Sequence, residues 1–363
     1  MIRVLVVEDS RFMRGVINGI LSGDPEIEVV GSAADGVEAV DAVCALRPDV
    51  VTMDVDMPRA DGLAAVERIM SERPTPIVMI SAYTRRDSSA AIRALELGAV
   101  DFVAKPSFTV DLSLEALRDE IVGKVRVASR VRPVRTARCA AATALATAPA
   151  RSSEPTREDQ RQREWTPCVI IAASTGGPAA LLALVPQLRA DFPAAVLIVQ
   201  HMPAPYTTAF AGELAGRCAM PAREATDGEW IERGVVYVCP GSHHLTVAPS
   251  GRIVLHAPAT RDGECPSADL AMMSVARRVG AHSVGVVLTG MGRDGAAGAR
   301  AIRRAGGLVI AQDESTSVVF GMPRAAAEAG AVNAVLPLDG IPPILTTYVD
   351  DLARAAKRER RAV

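Results

Sequence analysis

Two doubly wound α/β domains joined by a tether are what this sequence predicts, on three observations. Apolar strand patterns alternate with helical stretches over about the first hundred residues, and again from Cys168 onward. The patterns at 50–54 and 77–81 are apolar on both faces, as in a parallel sheet covered by helices on each side. Between the two runs lies a stretch of Pro, Ala, Ser, Thr and charge with almost no large aliphatic residue. Such a stretch cannot bury enough apolar surface to repay its ordering entropy. A length of 363 residues, long for one core, agrees. The expected organisation is a five-stranded, flavodoxin-like domain over 1–125, a flexible linker over 126–166, and a mainly parallel α/β domain over 167–355.

Taken in order, the strands of the first domain read RVLVVED, EIEVVGSA, DVVTMDV, PIVMISA and DFVAK. Helical stretches such as SRFMRGVINGILSG and GVEAVDAVCALR separate them, and a further helix is expected near 113–128. In the second domain the strands read at 168–173, 195–200, 284–289, 307–312 and 333–338. A hairpin-rich insert covers roughly 234–257, with PSG at 249–251 as its turn. The final helix ends in the charged run KRERRAV, a solvated terminus.

Composition excludes several classes. With 49% hydrophobic and 23% charged residues the chain reads as ordinary globular protein. A net charge of −2 offers no electrostatic footprint for nucleic acid. No segment approaches the roughly eighteen charge-free apolar residues of a membrane span, so no membrane insertion is expected. The apolar run after Arg3 meets acid at Glu8, too early for a signal peptide. Cysteines at 44, 139, 168, 218, 239 and 265 form no CxxC, which fits a reducing, cytoplasmic setting better than a disulfide framework.

In a doubly wound sheet, ligands gather beyond the carboxyl ends of the strands. Glu8 and Asp9 follow the first strand, Asp54 the third, Ser81 the fourth, and Lys105 the fifth. Converging carboxylates repel unless a cation joins them, and a hard dication such as Mg²⁺ takes oxygen ligands of this kind. A lysine and a hydroxyl beside it suit a phosphoryl group. Any one of the acids could instead be a loop residue that caps a helix; all five positions together at strand ends argue for a site.

The motifs VLVVEDS, DVVTMDVDMPRADG and DFVAKPS resemble the receiver domain of two-component response regulators. That resemblance implies that Asp54 accepts phosphoryl from a histidine kinase of the CheA type. It implies Mg²⁺ held by Glu8, Asp9, Asp54 and the backbone carbonyl of Asp56. Ser81 and Lys105 would contact the phosphoryl group, and Phe102 would be the aromatic that changes rotamer on signalling. The acid pair is Glu-Asp rather than two aspartates, a tolerated form.

The second domain opens with a strand that runs into ASTGGP, placing Ser174 on a tight turn before a helix. A dinucleotide fold would want GxGxxG here and an acid ending the second strand. That strand ends instead in His201, and SVGVVLTG later runs into MGRDG, which carries Asp294. A serine, a histidine and an aspartate each follow a strand of one sheet, as nucleophile, base and orienting carboxylate require. Each has a plainer reading. Ser174 could be a helix cap or mark a phosphate turn, His201 could be structural, and Asp313 competes with Asp294. His243 and His244 belong to the rim, while His256 and His282 lie in or before strands. Spacing alone leaves the set open.

The segments IAASTGGP, LIVQHMP, YVCPGSHH, VVLTGMGRDGA and VIAQDESTSVVFGMP are similar to the catalytic domain of the CheB family, the chemotaxis protein-glutamate methylesterases. The receiver–linker–esterase order matches as well. The resemblance implies Ser174 as nucleophile, His201 as base and later acid, and Asp294 as orienting carboxylate. The Met291 backbone N–H would face the oxyanion and Thr175 would lie beside the nucleophile. It further implies hydrolysis of glutamyl methyl esters on methyl-accepting chemoreceptors, with glutamine deamidation by the same acyl chemistry in some members. A helical substrate calls for a shallow site, rimmed by the hairpin insert, Met202 and Phe320. The tether keeps the receiver near the esterase at high effective concentration, so occlusion released by phosphorylation is the simplest control. A non-catalytic scaffold is the rival reading, against which the intact Ser, His and Asp stand.

Overall fold

The computed structural model describes residues 1–82, 84–105, 114–131, 166–258 and 265–361. Two compact units divide the chain, Met1–Cys139 and Ala140–Val363. Residues 132–165, most of the expected linker, lie outside the described residues. Among the described residues, no helix is long and apolar enough to cross a membrane.

In the first unit, strands β1 (Ile2–Val7), β2 (Ile27–Ala33), β3 (Val50–Asp54), β4 (Ile77–Ser81) and β5 (Asp101–Ala104) form one sheet. Its order is β2-β1-β3-β4-β5 and every pairing is parallel, the flavodoxin-like arrangement that the sequence predicts. β3 and β4 are buried along their whole length, which is why both read as unbroken apolar runs. Helices α1 (Arg11–Ser22), α2 (Gly36–Leu46), α3 (Gly62–Glu72) and α4 (Arg85–Glu96) cross between the strands. Each starts at a residue whose side chain accepts a first-turn N–H: Ser10, Asp35, Asp61 and Thr84. The helix expected near 113–128 is α5, Leu114–Ala128.

The second unit is built on β6 (Cys168–Ala173), β7 (Ala195–Gln200), β8 (Ala222–Glu224), β9 (Val236–Val238), β12 (Ser283–Val287), β13 (Leu308–Gln312) and β14 (Ala334–Leu336). The seven strands run in the order β14-β13-β12-β6-β7-β9-β8, all parallel. A separate antiparallel hairpin joins β10 (His244–Val247) to β11 (Ile253–His256), turning at the predicted PSG. Helices α6 (Gly177–Leu184), α7 (Ala204–Arg217), α8 (Ala268–Val279), α9 (Ala296–Arg304), α10 (Met322–Glu328) and α11 (Ile341–Arg361) complete it.

Three details differ from expectation. Residues 236–238 belong to the main sheet beside β7 rather than to the hairpin insert, because their side chains are buried on both faces. β8 is a three-residue edge strand, too short to show a period in sequence. β12 ends at Val287 instead of 289 because the Thr289 N–H turns to the Gln312 side chain, 2.8 Å away, and leaves the ladder. The hairpin matters for placement. Leu245, Val247 and Ile253 join the same core as Ala271, Met272 and Val275 of α8, and the Val247 N–H donates to Ser274 Oγ at 2.9 Å. This fixes α8 against the sheet with its first turn at the carboxyl ends of the strands.

Candidate functional site

The order of the second sheet reverses between β6 and β12, and ligands of open α/β sheets collect at such a switch point. Ser174 leaves β6 there, His201 leaves the neighbouring β7, and Thr289 and Gly290 leave β12. The His201 N–H donates to the Ala173 carbonyl and the Ser174 N–H to the Thr289 carbonyl, each at 3.0 Å. Three strand ends are therefore joined at the level of the serine. Gly290 lies directly against it: a Cβ there would stand 2.8 Å from Ser174 Cβ and collide with Met322 Sδ. Only glycine fits this contact.

The structure brings His201 and Asp294 together, with Nε2 and Oδ2 2.9 Å apart. Asp294 also accepts from the N–H groups of Ala268 (2.6 Å), Asp269 (2.9 Å) and Gly295 (3.1 Å), and from Ser267 Oγ (3.3 Å). Burial pushes this carboxyl up, but the His201 bond and the α8 N–H groups outweigh it and hold it below the ordinary aspartate range. An ionised Asp294 accepts from Nε2–H and so fixes that tautomer of His201, with the ring's lone pair on Nδ1. Asp313, the competing acid, is absorbed in its own turn, accepting from Ser315 Oγ (2.7 Å), Thr316 N (3.0 Å) and Thr316 Oγ1 (2.6 Å).

The remaining histidines have local partners. His243 meets Ser242 Oγ at 2.8 Å, His256 meets Thr246 Oγ1 at 2.8 Å, and His244 Nδ1 accepts from the Ser267 N–H at 3.1 Å. Burial holds the His244 imidazole below its usual range, consistent with a neutral acceptor. Met291 stands 53% exposed on the loop before Asp294, and Thr175 is buried with its carbonyl taken by Thr289 Oγ1 at 2.9 Å. Phe320 pairs with Gly290 and is partly exposed at the rim. Met202, expected at the rim, is buried instead. Burial pushes the thiols of Cys168 and Cys218 up to about 12, which makes both poor nucleophiles.

Sequence reasoning missed three supports. Gln200, buried at the end of β7, donates from Nε2 to the carbonyls of Ser174 (2.9 Å) and His201 (3.2 Å). Gln312 ends β13 and holds the Thr289 N–H, while Thr289 Oγ1 ties Thr175 to Val319. The available signal was a polar residue closing an otherwise apolar buried strand.

In the first unit, Glu8, Asp9 and Asp54 converge, with ligand oxygens all within 4.8 Å of one another. Lys105 Nζ lies 2.9 Å from Glu8 Oε2 and 2.8 Å from Asp54 Oδ2. Asp54 Oδ1 also accepts the Val55 N–H at 2.7 Å. Burial, then repulsion from Asp54, pushes Glu8 up to about 7 against the pull of Lys105. Burial raises Asp54 too. This oxygen-only set has the chemistry to hold Mg²⁺. Asp56 is exposed two residues beyond Asp54. Ser81 is fully buried and donates to the Asp87 carbonyl at 3.2 Å, and Phe102 is buried with Lys124 Nζ 5.2 Å from its ring centre.

Comparisons with known proteins follow the same division. The profile of the response regulator receiver domain matches residues 4–117, and that of the CheB methylesterase matches residues 169–345. A protein-glutamate methylesterase/protein-glutamine glutaminase of Pyrococcus abyssi is 44% identical over 355 residues, covering 96% of this chain and 94% of its own. One of Symbiobacterium thermophilum is 45% identical over 353 residues, 96% of this chain and 98% of its own. The crystal structure of the Thermotoga maritima CheB methylesterase catalytic domain is 38% identical, covers 50% of this chain and 98% of that one, and superposes with a TM-score of 0.49.

Proposed function

The chain belongs to the CheB methylesterase family, and on that premise we propose that it hydrolyses glutamyl methyl esters on a protein substrate under control of its receiver domain. The substrate is a methyl-accepting chemoreceptor, and the process served is adaptation in chemotaxis. The observation that carries this reading is the His201–Asp294 pair at the sheet's switch point, one strand end from Ser174.

In this mechanism Ser174 Oγ attacks the γ-carbonyl carbon of the ester as its proton passes to His201 Nδ1. Asp294 stays ionised and stabilises the imidazolium through the Nε2–H bond. The Met291 N–H, at the glycine-flanked turn beside Ser174 and Thr175, stabilises the tetrahedral oxyanion. Collapse returns the proton from His201 to the leaving methoxide, and methanol departs from an acyl-serine. Water then gives a proton to His201 as its oxygen adds to the acyl carbon; collapse breaks the bond to Ser174, whose oxygen takes that proton back from His201, and glutamate leaves. A glutamine amide follows the same path with ammonia as leaving group.

Control enters through Asp54, which accepts phosphoryl from a CheA-type histidine kinase. Glu8, Asp9 and Asp54, with the Asp56 carbonyl, would hold Mg²⁺, which supplies charge neutralisation for the transferring group when bound. Lys105 keeps a fixed cation at the acceptor carboxylate, and Ser81 offers a hydroxyl on the adjacent strand. Phe102, one strand over, is the residue whose packing reports the phosphorylated state.

A fluorophosphonate probe with a methanol-release assay tests the esterase reading. Covalent labelling and methanol release from methylated receptor are both expected to vanish in Ser174→Ala. A Ser174→Ala protein that still labels and still releases methanol would refute it.

A further inference from the structure

Asp294 sits where two helices begin, and each start takes a carboxylate from beside the other. α8 also has an ordinary N-cap, Ser267, whose Oγ accepts the Leu270 N–H at 3.4 Å. Asp294 immediately precedes Gly295, the N-cap of α9, yet its carboxylate accepts the Ala268 and Asp269 N–H groups, which open α8. Asp269 returns the arrangement: its Oδ1 accepts the Gly298 N–H, in the first turn of α9, at 2.7 Å. α9 has no side-chain cap at its own N-cap residue, Gly295. Each helix start thus has N–H groups held by the acid of the other, in addition to Ser267 on α8. Carboxylates at paired helix N-termini are favoured by orphan N–H groups and by both macrodipoles. Close approach is a further requirement, because a Cβ on Gly298 would overlap Met272 Cβ and lie 3.2 Å from Asp269 Cα.

The segment from Thr289 to Gly298 carries two groups the mechanism uses, the Met291 N–H and the Asp294 carboxylate. Its middle residues, Met291, Gly292 and Arg293, are exposed and lend it little packing. Its first end is pinned by Gln312 on the Thr289 N–H. At the other end, Asp269 holds the Gly298 N–H.

We propose that Asp269 is a positioning residue for the ester hydrolysis, clamping the start of α9 to the start of α8 so that Asp294 meets His201 and Met291 meets the oxyanion. The inference rests on the reading of Ser174, His201 and Asp294 as the hydrolytic centre. Burial and the neighbouring Asp294 charge raise the Asp269 carboxyl, so an amide should serve as acceptor nearly as well as a carboxylate. The role lies in the acceptor oxygen and its place, not in a net charge.

Four full-length variants test this by steady-state hydrolysis of methylated receptor and by proton NMR of the His201 Nε2–H. Asp269→Ala is expected to lower kcat about ten- to hundred-fold with KM nearly unchanged, the scale of a misplaced catalytic group. The hydrogen-bonded imidazole proton should be lost or broadened in step. Asp269→Asn, which keeps the acceptor, should recover most of the rate and the resonance. Gly298→Ala should repeat the Asp269→Ala result by prising the helices apart without removing a polar group, and it carries the test should Asp269→Ala not fold. Wild-type kcat in Asp269→Ala or Gly298→Ala would overturn the proposal, as would equal losses in the Asn and Ala variants. Ser174→Ala separates the two levels. If it stays active, the hydrolytic reading fails and this inference with it; if it is dead while Asp269→Ala is unimpaired, only the positioning role fails.

Discussion

The two acidic centres of this chain are finished to different degrees. Asp294 takes five donors, and its carboxyl lies below the ordinary aspartate range despite burial. Glu8 and Asp54 share one lysine, and both carboxyls are raised by burial. The first centre is satisfied by the protein alone and is arranged before any substrate arrives. The second carries more buried negative charge than its own cation offsets, so it gains most from an added dication. On the proposed function that difference is expected: a catalytic centre gains from preorganisation, and a switch gains from being left short of charge.

The sharpest test of that contrast is removal of the nucleophile. Ser174→Ala should abolish methanol release while Asp54 still takes up phosphoryl from the kinase. His201→Ala should cost nearly as much, since triad members act as a unit. Asp294→Asn should lose about 10⁴-fold in kcat by permitting the wrong tautomer, whereas Asp313→Asn should change it little. Kinetics that ranked Asp313 above Asp294 would reverse the assignment of the finished centre.

Next in size comes the glycine beside the serine. Gly290→Ala should reduce kcat about 10²-fold, because the new Cβ must displace Ser174 or Met322. Labelling of Asp54 is the control and should not move. Phosphorylation itself should change hydrolysis by roughly 5–150-fold, the range of ordinary coupling energies. Asp54→Ala should take no label, while Asp56→Ala should remain competent because only its backbone carbonyl is asked for. Activity equal before and after phosphorylation would uncouple the two centres.

The smallest effect concerns protons. Glu8 is raised to about 7, so below that pH it is protonated and a poor metal ligand. Mg²⁺ affinity, read by calorimetry, should therefore rise with pH by at most about tenfold per unit up to neutrality and then level. Stability runs the other way. An acid whose folded pKa is raised favours folding when protonated, so this contribution is present below its unfolded value near 4.5 and lost as pH climbs through about 7. The receiver's melting temperature should fall over that window without Mg²⁺ and recover with it. Asp294, shifted downward, predicts the opposite sign for its own contribution, which disappears only as pH drops through the acidic range.

Much of this was legible in the chain. Strands of a parallel sheet announce themselves as short apolar runs, and their carboxyl ends are the positions at which a doubly wound fold collects its chemistry. Glu8, Asp54, Ser81, Lys105, Ser174 and His201 could each be placed by that rule alone. The rule weakens where the chain leaves it. β8 and β9 are three residues each, and β9 lies in a stretch that reads equally well as hairpin. Met202 follows a histidine at a strand end, as a rim residue should, yet it turns inward.

What the sequence determined by itself is the parallel architecture and the strand ends, because side-chain periodicity and the length of apolar runs are local properties. Tertiary structure alone decided which carboxylate serves His201. Asp294 and Asp313 both follow strands, one among glycines and the other among hydroxyl residues, and either neighbourhood suits a capped turn. One finds its donors within its own loop. The other finds them on α8, more than twenty residues back along the chain, where a neighbouring helix start and a histidine converge. Local pattern cannot distinguish the two, because the partners that separate them are supplied by packing.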